Sequence, residues 1–232
     1  MNCVILQPSY IPWRGYFHQV RKADLFIFYD DVQYDRHGWR NRNRIKTAGG
    51  PRWLTIPLHS TDGHMQETSI GEMRTAEDAN WRRKHFETLR HNYARAPYFA
   101  RYRPLLEHWY AAPAPLLAEF TIRTTIELAR ELGITKTRFY RSSLLETTGT
   151  KTERLLSILK QVGATRYISG PAARNYLDSD LLEPEGIEVE WMDYEYPEYP
   201  QLFPPFEPQL SALDLLLNTG PEAGRFIWGE SR

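Results

Sequence analysis

The chain has 232 residues, of which 41% are apolar and 25% charged, the make-up of an ordinary globular protein with a sizeable core. Its 29 Lys and Arg balance 29 Asp and Glu, so no global field draws it onto nucleic acid or an anionic membrane. One cysteine (Cys3) excludes a disulfide framework, no run of about 18 apolar residues offers a membrane span, and the start MNCVIL has no basic n-region; the expectation is a cytoplasmic protein.

Residues 3–6 (CVIL) are an apolar run closed by Gln7-Pro8, the pattern of a buried strand. A loop precedes a short helix at 15–23, with Tyr16, Val20 and Ala23 on one face, and 25–29 (LFIFY) make a second buried strand ending in Asp30-Asp31. Two strands joined through a helix form a βαβ unit and imply a parallel sheet. Residues 34–47 are polar and basic, 53–58 (WLTIPL) predict a strand, and 59–73 an irregular loop. A helical block follows: 81–95 with Asn80 as N-cap, 98–111 interrupted early by Pro104, and 114–132 closed by Gly133. Strands at 138–142, 166–169 and 187–192 then alternate with helices at 150–162 and 172–178. A Pro- and aromatic-rich loop at 194–208 leads into a last helix at 210–218. The expected fold class is α/β: one domain over residues 1–232, a mainly parallel sheet of short strands with flanking helices, and a helical insertion near residues 80–133.

In parallel sheets, ligands gather beyond the C-terminal strand ends, and four clusters fall near such ends. The first is Gln7, Tyr10, Trp13, Gly15 and Tyr16, where Pro8 and Pro12 stiffen the loop and Gly15 lets backbone approach closely at a helix start. A helix start there suits a phosphate or carboxylate; the plainer account is a loop rigid only to pack the sheet. The second is Asp30, Asp31, Gln33 and Tyr34. Paired carboxylates can hold Mg²⁺ with phosphate or act as a general base, although along a strand only one would face a given cleft, and one could simply cap a turn. The third is Trp39, Asn41, Arg42, Asn43, Arg44 and Lys46. Extended backbone would put Trp39, Asn41 and Asn43 on one face and Arg42, Arg44 and Lys46 on the other, where a phosphorylated ligand or RNA would be held; a charged edge strand is the alternative. The fourth joins Lys151 and Thr152 at a helix start to Ser169, Gly170, Asn175 and Tyr176 at a strand-to-helix turn. The histidines show no metal spacing except that His59 and His64 flank Asp62, so no metal ligand is assigned. Neither a G-x-S-x-G elbow nor a Walker loop occurs.

The run ILQPSYIPWRGYFHQVRKADLFIFYDDVQYDRHGWRNRNRIKT (residues 5–47) resembles the opening of WbqC-like proteins, which combine QPxYxPWxGYF, ADxFIFxDDVQY and WxNRNxIK. WLTIPL, KTERLL, YISGPAARNYL and YPQLFPPFEPQLSALDLLLNTG extend the resemblance over nearly the whole chain. It implies a bacterial protein of surface-polysaccharide or secondary-metabolite assembly. The first βα turn is also similar to that of HxGH-type nucleotidyltransferases and pantothenate-synthetase-like amide ligases, where ATP sits. Both histidines are absent here; Trp13 and Tyr16 stand near their places, and His18 is the nearest imidazole. The expectation is a transferase or amide-forming ligase that acts on an amino sugar or related amine, with Asp30, Asp31 and His18 as candidate catalytic groups. ATP with Mg²⁺ is the candidate cofactor, and the expected substrate is phosphorylated or nucleotide-linked. The alternative is a non-catalytic binding module for a nucleotide sugar, a carrier protein or tRNA.

Overall fold

The computed structural model describes residues 1–59, 67–76 and 80–229. In chain order the elements are β1 (Asn2–Leu6), α1 (Arg14–Lys22), β2 (Leu25–Phe28), β3 (Arg42–Thr47), β4 (Gly50–Thr55), α2 (Trp81–Tyr93), α3 (Phe99–Ala111) and α4 (Leu117–Glu131). They continue with β5 (Arg138–Arg141), α5 (Lys151–Gln161), β6 (Arg166–Ser169), β7 (Glu188–Trp191), α6 (Ala212–Thr219) and α7 (Arg225–Trp228). Five strands form one sheet in the order β5-β2-β1-β6-β7, every pair parallel. The fold is therefore α/β.

Because β1 and β2 are covered on both faces, they are apolar throughout rather than alternating. Cys3, Ile5, Leu25 and Ile27 point to one side, where they meet Leu155, Ile158 and Leu159 of α5. Val4, Phe26 and Phe28 point to the other, into a larger core with Phe17 and Val20 of α1, the α2–α4 block and the leucines of α6. Between β4 and β5 the chain makes only helices and turns among the described residues, and α2, α3 and α4 fill that interval.

Four local expectations change. The strand expected at 53–58 is instead β4, ending at Thr55, and pairs antiparallel with β3. The hairpin between them was hidden because RNRIKT has one apolar residue; its inward positions are filled by Asn43, Ile45 and Lys46, all buried. Asn80 precedes α2 in a left-handed conformation (φ 51°) and its side chain makes no capping bond. Helix α3 runs through Pro104 instead of breaking there. Residues 172–178 form a 3-10 turn, Pro171–Asn175, and not an α-helix.

Candidate functional site

The chain builds outward from β1 first through β2 to β5, then returns to build the other half from β6 to β7. Crossovers on either side of β1 and β6 diverge, and sheets of this order open a crevice beyond the strand ends at that point. There the structure has a cleft of about 740 Å³, within the usual range for a small-molecule site. Its walls are aromatic: Trp13 and Tyr16 from the β1–α1 turn and helix, Tyr29 after β2, Trp39 before the hairpin, Tyr167 in β6 and Tyr176 after it.

The β1–α1 turn is held in an unusual shape. Ile11 has φ 36°, a region that a β-branched residue adopts only when its surroundings impose it. Asn43, on β3, supplies the constraint: its Nδ2 donates to the carbonyls of Tyr10 (3.0 Å) and Ile11 (2.9 Å). Trp13 then folds back over the helix start. A Cβ built on Gly15 would lie 2.3 Å from the indole, so the glycine makes room for a side chain, not for backbone as the sequence suggested. Tyr194 and Tyr196 buttress the indole edge-on, with ring centroids at 5.0 and 6.1 Å.

Among the described residues, Arg40 is the only charged one lining the cleft. One terminal nitrogen, Nη1, donates to Ser9 Oγ (2.9 Å) and to the Gln7 carbonyl (3.2 Å). No described carboxylate forms an ion pair with Arg40, and its Nε is buried without a partner. Burial lowers its pKa, with Tyr16, then Asp35 and Tyr34, acting in the opposite sense; an arginine nevertheless stays charged. Gln19 presents the converse. Its Nε2 donates to the Tyr194 hydroxyl, and its buried Oε1 has no partner. Buried polar groups are normally paired; Arg40 and Gln19, both lining the cleft, each carry one buried polar atom that is not. Burial raises the Tyr16 and Tyr167 phenols well above their usual pKa, so both remain neutral hydroxyls at physiological pH.

Of the residues singled out from sequence, Gln7, Trp13, Tyr16, Trp39, Asn43 and Tyr176 line this cleft. The others lie elsewhere. Asp30 is fully buried and accepts from Arg141 Nε (2.6 Å), the Ser143 amide (3.0 Å) and Ser143 Oγ (2.9 Å). Asp31 accepts from Ser142 and pairs with Arg154. The Ser142 hydroxyl bonds to both carboxylates, so they converge instead of facing opposite ways; the chain has already left β2 at Phe28. His18 faces a different, basic hollow beside Arg21, Lys136 and Trp228, and its Nδ1 meets the Tyr196 hydroxyl at 3.0 Å. Burial, then Lys22 and Arg21, lower its pKa.

Tyr10 is fully buried against His85 and Tyr110. The Tyr34 hydroxyl donates to Asn41, whose amide donates to the Ile56 carbonyl. Gln33 is exposed, away from the cleft lining, and pairs through its backbone with Ser69. Arg42 and Arg44 face outward as expected, but Lys46 does not: its ammonium is buried on the Pro205 carbonyl. The cap of α5 is Thr150 with Glu153; Thr152 instead accepts from the Asp178 amide (3.1 Å), and Lys151 is exposed. Ser169 is buried beneath Tyr167, Gly170 abuts Tyr194, and Asn175 is exposed. The His59–His64 loop with Asp62 lies largely outside the described residues, and no group of three metal-ligating side chains occurs among those described.

Sequence reasoning passed over Arg40, Gln19, Ser9 and Tyr29. Arg40 sits between Trp39 and Asn41 before β3 begins, where period-two alternation does not yet apply. Gln19 is one turn of helix beyond Tyr16, and that i, i+3 spacing was the available signal.

The WbqC-like protein family profile matches residues 7–226. A Mycobacterium tuberculosis protein named "Uncharacterized protein Rv1507c" is 40% identical over 228 residues, covering 96% of each chain. No solved structure matches. The chain belongs to the WbqC-like protein family.

Proposed function

We propose that the cleft binds a small molecule that carries both a ring and an anionic group, such as a nucleotide or nucleotide-linked sugar, and that the chain is a biosynthetic transferase or amide-forming ligase acting on an amine. The observation that carries this reading is Arg40, a half-buried guanidinium without a carboxylate partner in an aromatic cleft at the strand-order reversal. A guanidinium fork matches phosphate or carboxylate oxygens, and the surrounding rings supply stacking area. Gln19, whose Oε1 has no partner in the structure, would turn to accept from an amine or hydroxyl of the acceptor. ATP with Mg²⁺, a carrier or tRNA remain donors compatible with this chemistry.

The test is a thermal-shift and calorimetric series on the full chain with ATP, nucleotide sugars and acyl-CoAs, with and without Mg²⁺. A ligand that binds only the folded state raises the melting temperature by mass action. A shift that Arg40→Met abolishes supports the site. A Mg²⁺-dependent shift with ATP assigns the ligase chemistry, and a metal-independent shift with a nucleotide sugar or CoA assigns direct transfer. If no anionic ligand shifts the protein, or Arg40→Met responds as the wild type does, the reading fails.

One observation favours a second reading, a binding module without chemistry. Among the described residues that line the cleft none is Asp, Glu, His, Lys or Cys, so none of these side chains is suited to shuttle a proton near neutral pH. Ligand binding without turnover of any donor–acceptor pair would select it.

A further inference from the structure

Seven large apolar side chains are exposed among the described residues, and Trp13, Trp39, Trp53 and Tyr176 are four of them. Trp13, Trp39 and Tyr176 line the mouth of the cleft. Trp53, on β4, does not, but its ring centroid lies 5.0 Å from that of Trp39, tilted by 38°. Arg42 places its guanidinium 4.8 Å from the Trp53 centroid, and Arg44 approaches the same ring at 5.8 Å. The β3–β4 register explains the grouping, because Arg44 is directly opposite Trp53 and Arg42 is its diagonal neighbour on the same face.

Charge is concentrated in the same segment. Residues 36–58 contain Arg36, Arg40, Arg42, Arg44, Lys46 and Arg52 and not one Asp or Glu, in a chain whose formal charge is zero. Arg44 is offset by Glu207 at 3.7 Å, and the Lys46 ammonium is buried. Arg36, Arg40, Arg42 and Arg52 form no ion pair with a described carboxylate. Rings left in water beside a guanidinium that no described carboxylate pairs, that of Arg42, are the two components of a single-stranded nucleic-acid platform, with Arg44 adding a partly offset charge: bases stack on the rings and phosphates meet the arginine. Arg42 donates to the His37 and Gly38 carbonyls, which hold it over Trp53 without cancelling its charge; a neutral sugar chain would use the rings but not that charge.

We propose that the hairpin surface of Trp39, Trp53, Arg42 and Arg44 binds a single-stranded polynucleotide, whose terminal residue reaches the cleft past Trp39. The inference adds a macromolecular partner and does not depend on which group the cleft transfers. Trp53 lies outside the cleft lining, so the two readings fail separately.

The experiment is fluorescence anisotropy of a labelled single-stranded RNA of about 12 nucleotides with the full chain, read together with tryptophan quenching. Trp53→Ala and Arg42→Glu serve as variants, each checked by its melting temperature. The expected result is binding that weakens with salt, quenches tryptophan, and falls by about tenfold or more in either variant, in line with stacking contributions of about 1–3 kcal/mol per base. Trp53→Ala should retain its thermal shift with small cleft ligands. Absent binding at low salt, or variants equal to wild type, overturns the proposal. So does heparin binding as tightly without quenching, which is electrostatics alone. A neutral oligosaccharide that quenches where RNA does not would make the surface a sugar platform and also overturn it.

Discussion

Gly15 owes its identity to its neighbour. Any Cβ there would collide with the Trp13 indole, whereas alanine within a helix is otherwise favoured over glycine by about 0.5–1 kcal/mol. Gly15→Ala should therefore leave the melting temperature nearly unchanged, yet displace Trp13 and weaken ligand binding in the cleft about tenfold, a loss of about 1.4 kcal/mol of the contact area an aromatic wall supplies. Calorimetry combined with tryptophan emission separates the two effects. Asp30 predicts the opposite pattern. Its oxygens are occupied by Arg141, Ser142 and Ser143, and it is fully buried, whereas Arg141 is partly exposed and keeps Glu119, so removing the carboxylate costs about 1–3 kcal/mol for the hydrogen-bonding groups left unmet. Asp30→Ala should lower stability by that order in urea unfolding while folded protein binds cleft ligands with unchanged affinity. A variant as stable as wild type but unable to bind would restore a direct role.

His85 supplies the pH prediction. Its Nε2 lies 3.2 Å from the Thr55 carbonyl, which can only accept, so Nδ1 is the acceptor for the Tyr10 hydroxyl at 2.8 Å. Burial lowers its pKa from 6.5 to about 4, with the Thr55 bond opposing. The folded pKa lies below the unfolded one, so the unfolded chain binds the extra proton between them. Stability is fully present above pH about 6.5 and is lost as the pH falls toward about 4, by on the order of 3 kcal/mol. Denaturant midpoints across that window should decline in the wild type and decline less in His85→Gln, which keeps polar contacts but has no titrating ring.

At the level of elements, strands with apolar runs and helices with a clear apolar face were legible; elements built on polar residues were not. LFIF and CVIL could only be buried parallel strands. The β3–β4 hairpin carries its inward positions on Asn43 and Lys46, whose burial depends on carbonyl partners far away in sequence: Tyr10, Ile11 and Pro205. No local pattern announces such partners. The same applies to the cleft: four of its aromatic residues, Trp13, Tyr16, Trp39 and Tyr176, were singled out from sequence, whereas Arg40 and Gln19 acquire meaning only from the fold around them. The hairpin also anchors the cleft, because Asn43 holds the Ile11 turn. Asn43→Ala should release that turn, at about 1–3 kcal/mol for unmet buried carbonyls, and raise hydrogen exchange at residues 10–13 more than in the sheet.

For the whole molecule, the order β5-β2-β1-β6-β7 has a mechanical reading. The first strand in sequence is the innermost, and the cleft sits on the seam between two halves that the chain assembles separately. This is why the site draws on residues from both ends of the chain: Gln7 and Trp13 from one, Tyr167, Tyr176 and Gln209 from the other. It is also why the sequence alone could indicate strand ends but not which ends adjoin.

That placement has a consequence during synthesis on the ribosome. β1 emerges well before its neighbour β6, which begins at residue 166. Until then one edge of the central strand has no partner, and a nascent chain that already holds β2 and β5 presents it open. Unpaired edges of apolar strands are sites of misassociation. A ribosome-stalled chain in which β2 and β5 have emerged but β6 has not should bind chaperones and resist compaction, whereas one long enough to expose β6 should release them, because only then does the innermost strand acquire both of its neighbours.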